Sequence, residues 1–307
     1  MNYFLLLALM LIALPLNAEP VPPVKGATSQ PDAAFIPAPA DAPLASQSPA
    51  PANKQPAPNL FGGKAGDDAI DITADKSLEW HEQERVYIAS GHAKAKKGDV
   101  MIEADVLKAY DRKKPDGSSE VWRLTAEGGV KVTGKTQTAI GQTAEYDIDT
   151  RKAILRGDNL KFQTATDTVT ARDSLEYWEI ENRAIAKGDA LAVREGRQVH
   201  ANELISQFKK NAKGELEADT MTANGNVHIT SAKDVVICDQ AIYYVTPNTA
   251  TLNGNVFITQ GSNQLKGDKV EANFKTGTSK IMNTGKGRVH ALIRSAKGKP
   301  VQPSDKP

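Results

Sequence analysis

The sequence contains few cysteines, few aromatic residues and almost no net charge, and each shortage excludes a class of protein. The single cysteine, Cys238, cannot form an intramolecular disulfide, and no Cys/His cluster offers a zinc site. The 38 basic and 37 acidic residues nearly cancel, which argues against a nucleic-acid-binding protein. Aromatic residues make up 6% of the chain, so a core must rest mainly on Val, Ile, Leu and Ala.

The sequence also lacks an apolar run long enough to cross a membrane. Residues 4–14 form an apolar run of eleven residues, whereas a spanning helix needs roughly 20. Pro15 ends the run and Ala18 supplies a small residue before a cleavage site, which predicts a secretory signal peptide over residues 1–18. The alternative is an uncleaved membrane anchor. We therefore expect the chain to be exported.

The distribution of proline predicts where the chain folds. Residues 19–66 contain eleven prolines and many alanines, which is typical of an extended linker, although a Pro-rich partner-binding segment is an alternative. Residues 67–293 contain only Pro115 and Pro247, both in turn-like contexts. Residues 294–307 carry four bases and one acid. We predict a signal peptide (1–18), a disordered Pro/Ala-rich linker (19–66), one folded domain (67–293) and a basic flexible tail (294–307).

Apolar residues in the predicted domain recur with a period of two. Alternation such as Val227-x-Ile229 and Val256-x-Ile258 is typical of β-strands, and no window of twelve residues shows a helical stripe. The domain is therefore predicted to be all-β.

The strands repeat along the chain. A glycine followed by alternating apolar residues recurs at spacings of 37, 29, 31, 37, 29 and 33 residues. Between these glycines lies a second strand that ends on an aromatic residue, as in SLEW at Trp80 and SLEY at Tyr177. The glycines are Gly91, Gly128, Gly157, Gly188, Gly225, Gly254 and Gly287.

A period near 30 residues indicates units that bury their apolar faces only against their neighbours. Stacked antiparallel strands of this kind form either a β-solenoid or a two-sheet jelly roll that grows by adding rungs. Small residues at inward positions would leave space inside; they are Ala93, Ala95, Ala104, Ala144 and Ala190.

Catalytic and metal-binding patterns are not found in the sequence. The five histidines occur singly, one in each of five rungs, and neither a phosphate-binding loop nor a nucleophile elbow is present. Cys238 lies in an apolar strand and is expected to be buried and inert. We predict that the chain is not an enzyme and needs no metal or cofactor. A polysaccharide-active enzyme with paired carboxylates remains the alternative.

Both ends of the domain resemble one known family. Residues 70–80 (IDITADKSLEW), followed by residues 88–91 (IASG), resemble the opening of OstA-like domains. Residues 252–260 (LNGNVFITQ), 265–270 (LKGDKV) and 285–293 (GKGRVHALI) resemble the closing strands of the LptA family. The order of these C-terminal segments is the most specific part of the resemblance. Relative to typical members, the chain contains two or three extra rungs.

The resemblance implies a fold and a function. Family members form an elongated, incompletely closed antiparallel β-jelly roll whose apolar interior accepts the acyl chains of lipopolysaccharide in the Gram-negative periplasm. Ile70 and Ile72 match the N-terminal groove residues that contact lipid in the family. Alternation adds further candidates for the interior wall, for each of which ordinary core packing is the alternative: Leu78, Val227, Ile229, Val256, Ile258 and Phe274.

The resemblance also implies partners. Unpaired edge strands would join one molecule head-to-tail to the next, or to LptC-like inner-membrane and LptD-like outer-membrane proteins. The strands concerned are expected near residues 70–74 and 288–293. A structural or adhesive β-solenoid without lipid cargo is the competing interpretation of the same repeats.

Overall fold

A computed structural model describes residues 70–293, except Lys213, Glu215, Lys233 and Lys286. The predicted signal peptide (1–18), linker (19–66) and basic tail (294–307) lie outside the described residues. Among the residues described, no helix is long and apolar enough to cross a membrane.

The described residues form eighteen β-strands, which confirms the all-β prediction. The first module, as we call β1–β8, consists of β1 (Asp71–Thr73), β2 (Ser77–His81), β3 (Val86–Lys97), β4 (Val100–Lys113), β5 (Ser119–Thr133), β6 (Gln137–Asp147), β7 (Lys152–Arg156) and β8 (Leu160–Thr164). The second module consists of β9 (Asp167–Ala171), β10 (Ser174–Trp178), β11 (Arg183–Arg194), β12 (Arg197–Lys210), β13 (Leu216–Thr230), β14 (Asp234–Tyr244), β15 (Thr249–Gln260), β16 (Asn263–Asn273), β17 (Thr278–Met282) and β18 (His290–Leu292).

The strands stack in layers, and every pairing is antiparallel. Each long strand is one layer, while β1 with β2, β7 with β8, β9 with β10, and β17 with β18 form layers that are split into two short strands. Ten long strands and four split layers give fourteen layers in the described part of the chain. In the described part of the chain the first layer pairs only with β3 and the last layer only with β16, so the sheet is not a closed barrel, as predicted.

Most long strands bend in the middle, where the repeated glycines lie. The register shifts between Asn253 and Val256, and the two residues between them, Gly254 and Asn255, have φ values of +73° and +48°. A glycine tolerates this backbone conformation and asparagine tolerates it better than most residues, which explains why the sequence repeats glycine at this point. The bend divides each layer into two parts. We call the part containing β2 wall A and the part containing β1 wall B.

Every second side chain of wall A faces wall B, and every second side chain of wall B faces wall A. The core is formed by these side chains and lies between the two walls. The continuous cross-strand row of wall A is Leu78, Ala89, Leu107, Ala126, Ala144, Leu155, Leu175, Ala186, Leu204, Ala223, Ala241, Leu252, Val270 and Ile281. The row of wall B is Ile72, Ala95, Ile102, Val132, Ala139, Phe162, Val169, Ala192, Val199, Ile229, Val236, Ile258, Leu265 and Ala291.

A second apolar cluster packs at the ends of the wall A strands, away from the bend. It contains the buried aromatic residues that close the recurring strands, including Tyr146, Tyr177 and Phe208. At the end of β14 the buried ring is that of Tyr243, whereas Tyr244 is exposed on the opposite face.

The layers of the first module recur in the second, ninety-seven residues later. In the first module the amides of Asp75 and Lys76 donate to the carbonyls of Gly91 (2.7 Å) and Ser90 (3.0 Å). The amides of Arg172 and Asp173 make the same two bonds to Gly188 and Lys187, at the same distances. Counted along the chain, the first six layers, from β1/β2 to β7/β8, therefore correspond to the next six, from β9/β10 to β15. The two remaining layers, β16 and β17/β18, extend the second module.

Candidate functional site: the apolar interior and its open ends

The interior gathers five of the predicted lipid-binding residues. Val227, Ile229 and Val256 are buried in the core of wall B, and Ile72 and Ile258 pack against that core while remaining half-buried. Because side chains alternate between the two faces of a strand, all five lie on the face of wall B that is turned toward wall A. The structure thus assembles them in one apolar surface. Their contact with lipid stays a prediction.

The remaining three predicted residues lie elsewhere. Leu78 is on the wall A row but 65% exposed, because no layer covers β2. Ile70 precedes β1 and is exposed. Phe274 follows the last residue of β16, where alternation no longer applies, and it packs in the second cluster with its ring centroid 6.1 Å from that of Tyr243. Phe274 is therefore not part of the interior rows.

The middle of the interior is filled by side chains. The predicted inward alanines Ala93, Ala104, Ala144 and Ala190 are buried in the core cluster, and Ala95 packs against it while half-buried. Where the two modules meet, a small apolar cavity of about 30 Å³ remains between Leu155 and Leu175 of wall A and Phe162 of wall B. This volume accommodates roughly one or two water molecules. An acyl chain would need the two walls to move apart.

The ends of the interior are open and apolar. Seven of the exposed large apolar residues in the described chain lie in the first two layers or at the last one: Ile70, Leu78, Trp80, Tyr87, Val289, Leu292 and Ile293. Trp80 and Tyr87 stack with their ring centroids 4.2 Å apart. Large exposed apolar side chains are thus concentrated in the layers at the two ends of the described sheet.

The layers where the modules meet, which we call the joint, contain buried charges. Asp167 is buried and its Oδ1 lies 2.6 Å from Nε of Arg194. Glu176 is also buried and lies 2.9 Å from Nζ of Lys187. Burial raises the pKa of Glu176, but the hydrogen bonds from Lys187 and Ser174 outweigh it and hold that pKa below its ordinary value.

The structure pairs two histidines that appeared isolated in the sequence. His200 and His228 are directly opposite each other on β12 and β13, with ring centroids 6.2 Å apart, and Nε2 of His200 lies 2.6 Å from Oδ1 of Asp189. No group of three potential metal ligands occurs in the part of the chain that the structure describes. The register shift near His200 hid this pairing from the sequence analysis.

The geometry defines a class of protein, an antiparallel sheet that bends into two walls around an apolar interior and is open at both ends. Among the residues described, no catalytic site is assembled. The family described as "LptA/(LptD N-terminal domain) LPS transport protein" matches residues 71–173 and again residues 168–278. The two matches cover more than half of the 307 residues. The chain therefore belongs to this lipopolysaccharide-transport family.

Other comparisons add less. A similar solved structure is LptH from Pseudomonas aeruginosa, described as the LptA-homologous periplasmic component of the lipopolysaccharide transport device. It is 16% identical, with a TM-score of 0.33, and the alignment covers 39% of this chain and 83% of LptH. A search of curated proteins gave no match.

Two predictions are resolved by the family assignment. The family consists of transport proteins and not of enzymes, which confirms the prediction that the chain is not an enzyme. The two matches also show that the extra rungs are a second copy of the family's domain. The expected two or three added rungs fall within this second match, a longer repeat that the 30-residue period of the sequence conceals.

Proposed function

We propose that the chain buries the acyl chains of lipopolysaccharide between walls A and B and carries them across the periplasm within a bridge from inner to outer membrane. One observation supports this above all: two facing apolar rows run without interruption through all fourteen layers. Each CH₂ group that is kept from water contributes roughly 0.8 kcal/mol, so a multi-acyl lipid requires such a continuous apolar path. The sugars and phosphates would remain in water along the side where the walls do not join.

The proposal includes the location and the partners of the chain. Residues 1–18 would direct export and then be removed by cleavage, and residues 19–66 would act as a spacer. LptC-like and LptD-like proteins would add to the end layers through their own edge strands. The exposed apolar residues at both ends support these contacts, because isolated ends would leave that surface in water.

Binding of lipopolysaccharide by the purified chain tests the proposal. We expect saturable binding that acylated lipid A competes for and that deacylated lipopolysaccharide does not. Ile72→Arg places a charge in the half-buried interior and should weaken binding about tenfold or more. The matched control is Thr73→Arg, which places the same charge on the outward face of β1 and should bind as the unmodified chain does. A folded all-β chain without saturable binding would refute the carrier function.

The close packing of the central layers favours a second candidate, a structural β-solenoid with a dry core. In that case neither lipid A nor intact lipopolysaccharide would bind, although the fold and its thermal unfolding would be intact. The same assay therefore separates the two functions.

A further inference from the structure

Two histidines meet on the outer face of wall B, away from the apolar interior. His200 of β12 and His228 of β13 alternate along their strands with the buried Val199 and Ile229, so their side chains point outward. The two residues are directly opposite each other in the register, and their ring centroids are 6.2 Å apart. They therefore share one patch of the outer surface, separate from the rows proposed to hold lipid.

The first module shows which side chains occupy the same positions in the other copy of the domain. Ninety-seven residues earlier the corresponding residues are Glu103 and Lys131, which are also directly opposite each other. Nζ of Lys131 lies 3.9 Å from Oε2 of Glu103, and Nζ of Lys94 lies 3.1 Å from Oε1. Unlike charges at directly opposed positions stabilise a strand pair. In the first module this cross-strand pair is thus an ion pair.

The second module has replaced both charged side chains with imidazoles, which cannot form an ion pair with each other. The opposed positions on the two outer strands hold Leu191, in place of Lys94, and Ile237. Two protonated imidazoles would repel each other at this distance, because like charges directly opposite destabilise a strand pair. Two neutral imidazoles, by contrast, each present a ring nitrogen with a lone pair, which is the ligand that divalent transition-metal ions prefer.

A carboxylate orients one of the two rings. Nε2 of His200 lies 2.6 Å from Oδ1 of Asp189, which follows Gly188 in the bend of β11. A carboxylate only accepts hydrogen bonds, so the neutral ring carries its proton on Nε2 and its lone pair on Nδ1. Histidines that bind metals almost always donate their other ring N–H to a carboxylate, a carbonyl or water. Asp189 supplies this second contact in advance.

The backbone brings the two rings within reach of one ion. A tetrahedral ion holds imidazole nitrogens at 2.0–2.1 Å, which places two of them about 3.3 Å apart. Directly opposed residues on antiparallel strands have Cβ atoms about 4.5–5.5 Å apart, so both rings can turn to one ion without any change in the backbone. His228 is exposed, and rotation of its ring displaces no core side chain.

We propose that His200 and His228 bind one divalent transition-metal ion, with Asp189 positioning His200 and with water in the remaining coordination positions. The expected order of affinity is Cu²⁺ before Zn²⁺. Mg²⁺ and Ca²⁺ should not bind, because they prefer oxygen ligands. The site lies on the outer face of wall B and does not depend on the proposed carrier function.

Titration of the purified full chain, prepared without a histidine tag, tests the proposal. Isothermal calorimetry with CuCl₂, ZnCl₂ and MgCl₂ should show one Cu²⁺ or Zn²⁺ ion per chain and no Mg²⁺. His200→Asn and His228→Asn should each weaken binding about tenfold or more, and Asp189→Asn should weaken it about tenfold with no change in the thermal unfolding midpoint. In the unmodified chain, Cu²⁺ should broaden the NMR signals of the His200 and His228 rings before those of the other three histidines.

The matched control is His290→Asn. His290 lies on the same outward row of wall B, opposite Lys266, and should contribute nothing to binding. The double variant His200→Glu/His228→Lys installs the ion pair of the first module, so it should keep the thermal unfolding midpoint and lose the metal. A folded unmodified chain that binds neither Cu²⁺ nor Zn²⁺ would overturn the proposal. Equal binding by His200→Asn, His228→Asn and His290→Asn, or retention of the metal by the double variant, would also overturn it.

Discussion

The side chain of Asp239 occupies the space that a Cβ atom on Gly254 would need. Asn255, the next residue, donates from Nδ2 to Oδ2 of Asp239 at 2.9 Å. The same arrangement of a glycine against a polar side chain of the adjacent layer recurs along the bend, as at Gly225 with Asn202 and Gly188 with Asp173. The bend is thus a line of close backbone contacts, and glycine is required there for space as well as for its backbone conformation.

Replacing Gly254 by alanine should destabilise the fold strongly. A left-handed conformation costs an alanine about 1–2 kcal/mol, and displacement of Asp239 adds to that cost. Gly261→Ala is the matched control, because Gly261 also has a positive φ (+55°) but open space around it. Urea unfolding should show a loss for Gly254→Ala that exceeds the loss for Gly261→Ala by about 1 kcal/mol or more. Equal losses would mean that the contact with Asp239 does not matter.

Glu176→Gln should destabilise the chain at neutral pH and not in acid. The charged carboxylate accepts bonds from Lys187, Ser174 and Trp178, and losing a charge-assisted bond in a buried site costs about 1–3 kcal/mol. Because the folded-state pKa is below the ordinary value of 4.5, this stability is present above pH 4.5 and is lost as the pH falls through the lowered pKa. Urea midpoints at pH 7 and pH 3 measure the difference.

The control for that prediction is Glu79→Gln in the first layer. Glu79 makes the equivalent bonds to Ser77 and His81 but lies in an uncovered strand, so the loss of stability should be smaller. A larger loss from Glu79→Gln than from Glu176→Gln would contradict the view that burial at the joint makes the network important.

Cys238 should react with iodoacetamide only when the second module opens. Burial, assisted by the charge of Asp239, raises the pKa of the thiol from 9.0 to about 12, which lowers the thiolate population roughly a thousandfold. Mass spectrometry at pH 8 should show almost no labelling of the native chain and complete labelling in denaturant. Thr73→Cys supplies an exposed thiol for comparison, and rapid native labelling of Cys238 would contradict the packed core.

The architecture could be predicted from the sequence because a period of two in the apolar residues and a recurring glycine are local signals. The glycine marks the bend, where backbone geometry and contact with the next layer both demand it. Positions near strand ends were predicted less well. Phe274 falls just after the end of β16, where alternation stops, so the pattern could not assign it to the correct face.

The duplication was missed although its signal was present in the sequence. The glycine spacings of 37 and 29 residues, which begin at Gly91, begin again in the same order at Gly188, and SLEWH at residues 77–81 returns as SLEYW at residues 174–178. The shorter 30-residue period dominated because every two layers look alike. The opposition of His200 and His228 depends on a register shift, which no single-chain pattern encodes.

The joint between the modules has a consequence for mass action. A contact made within one chain has an effective concentration fixed by the connecting residues, whereas a contact between chains weakens with dilution. In any series built from such chains, contacts between modules of one chain alternate with contacts between two chains. Every second contact therefore does not depend on protein concentration. Dilution would break the series into two-module pieces, and single modules would not appear.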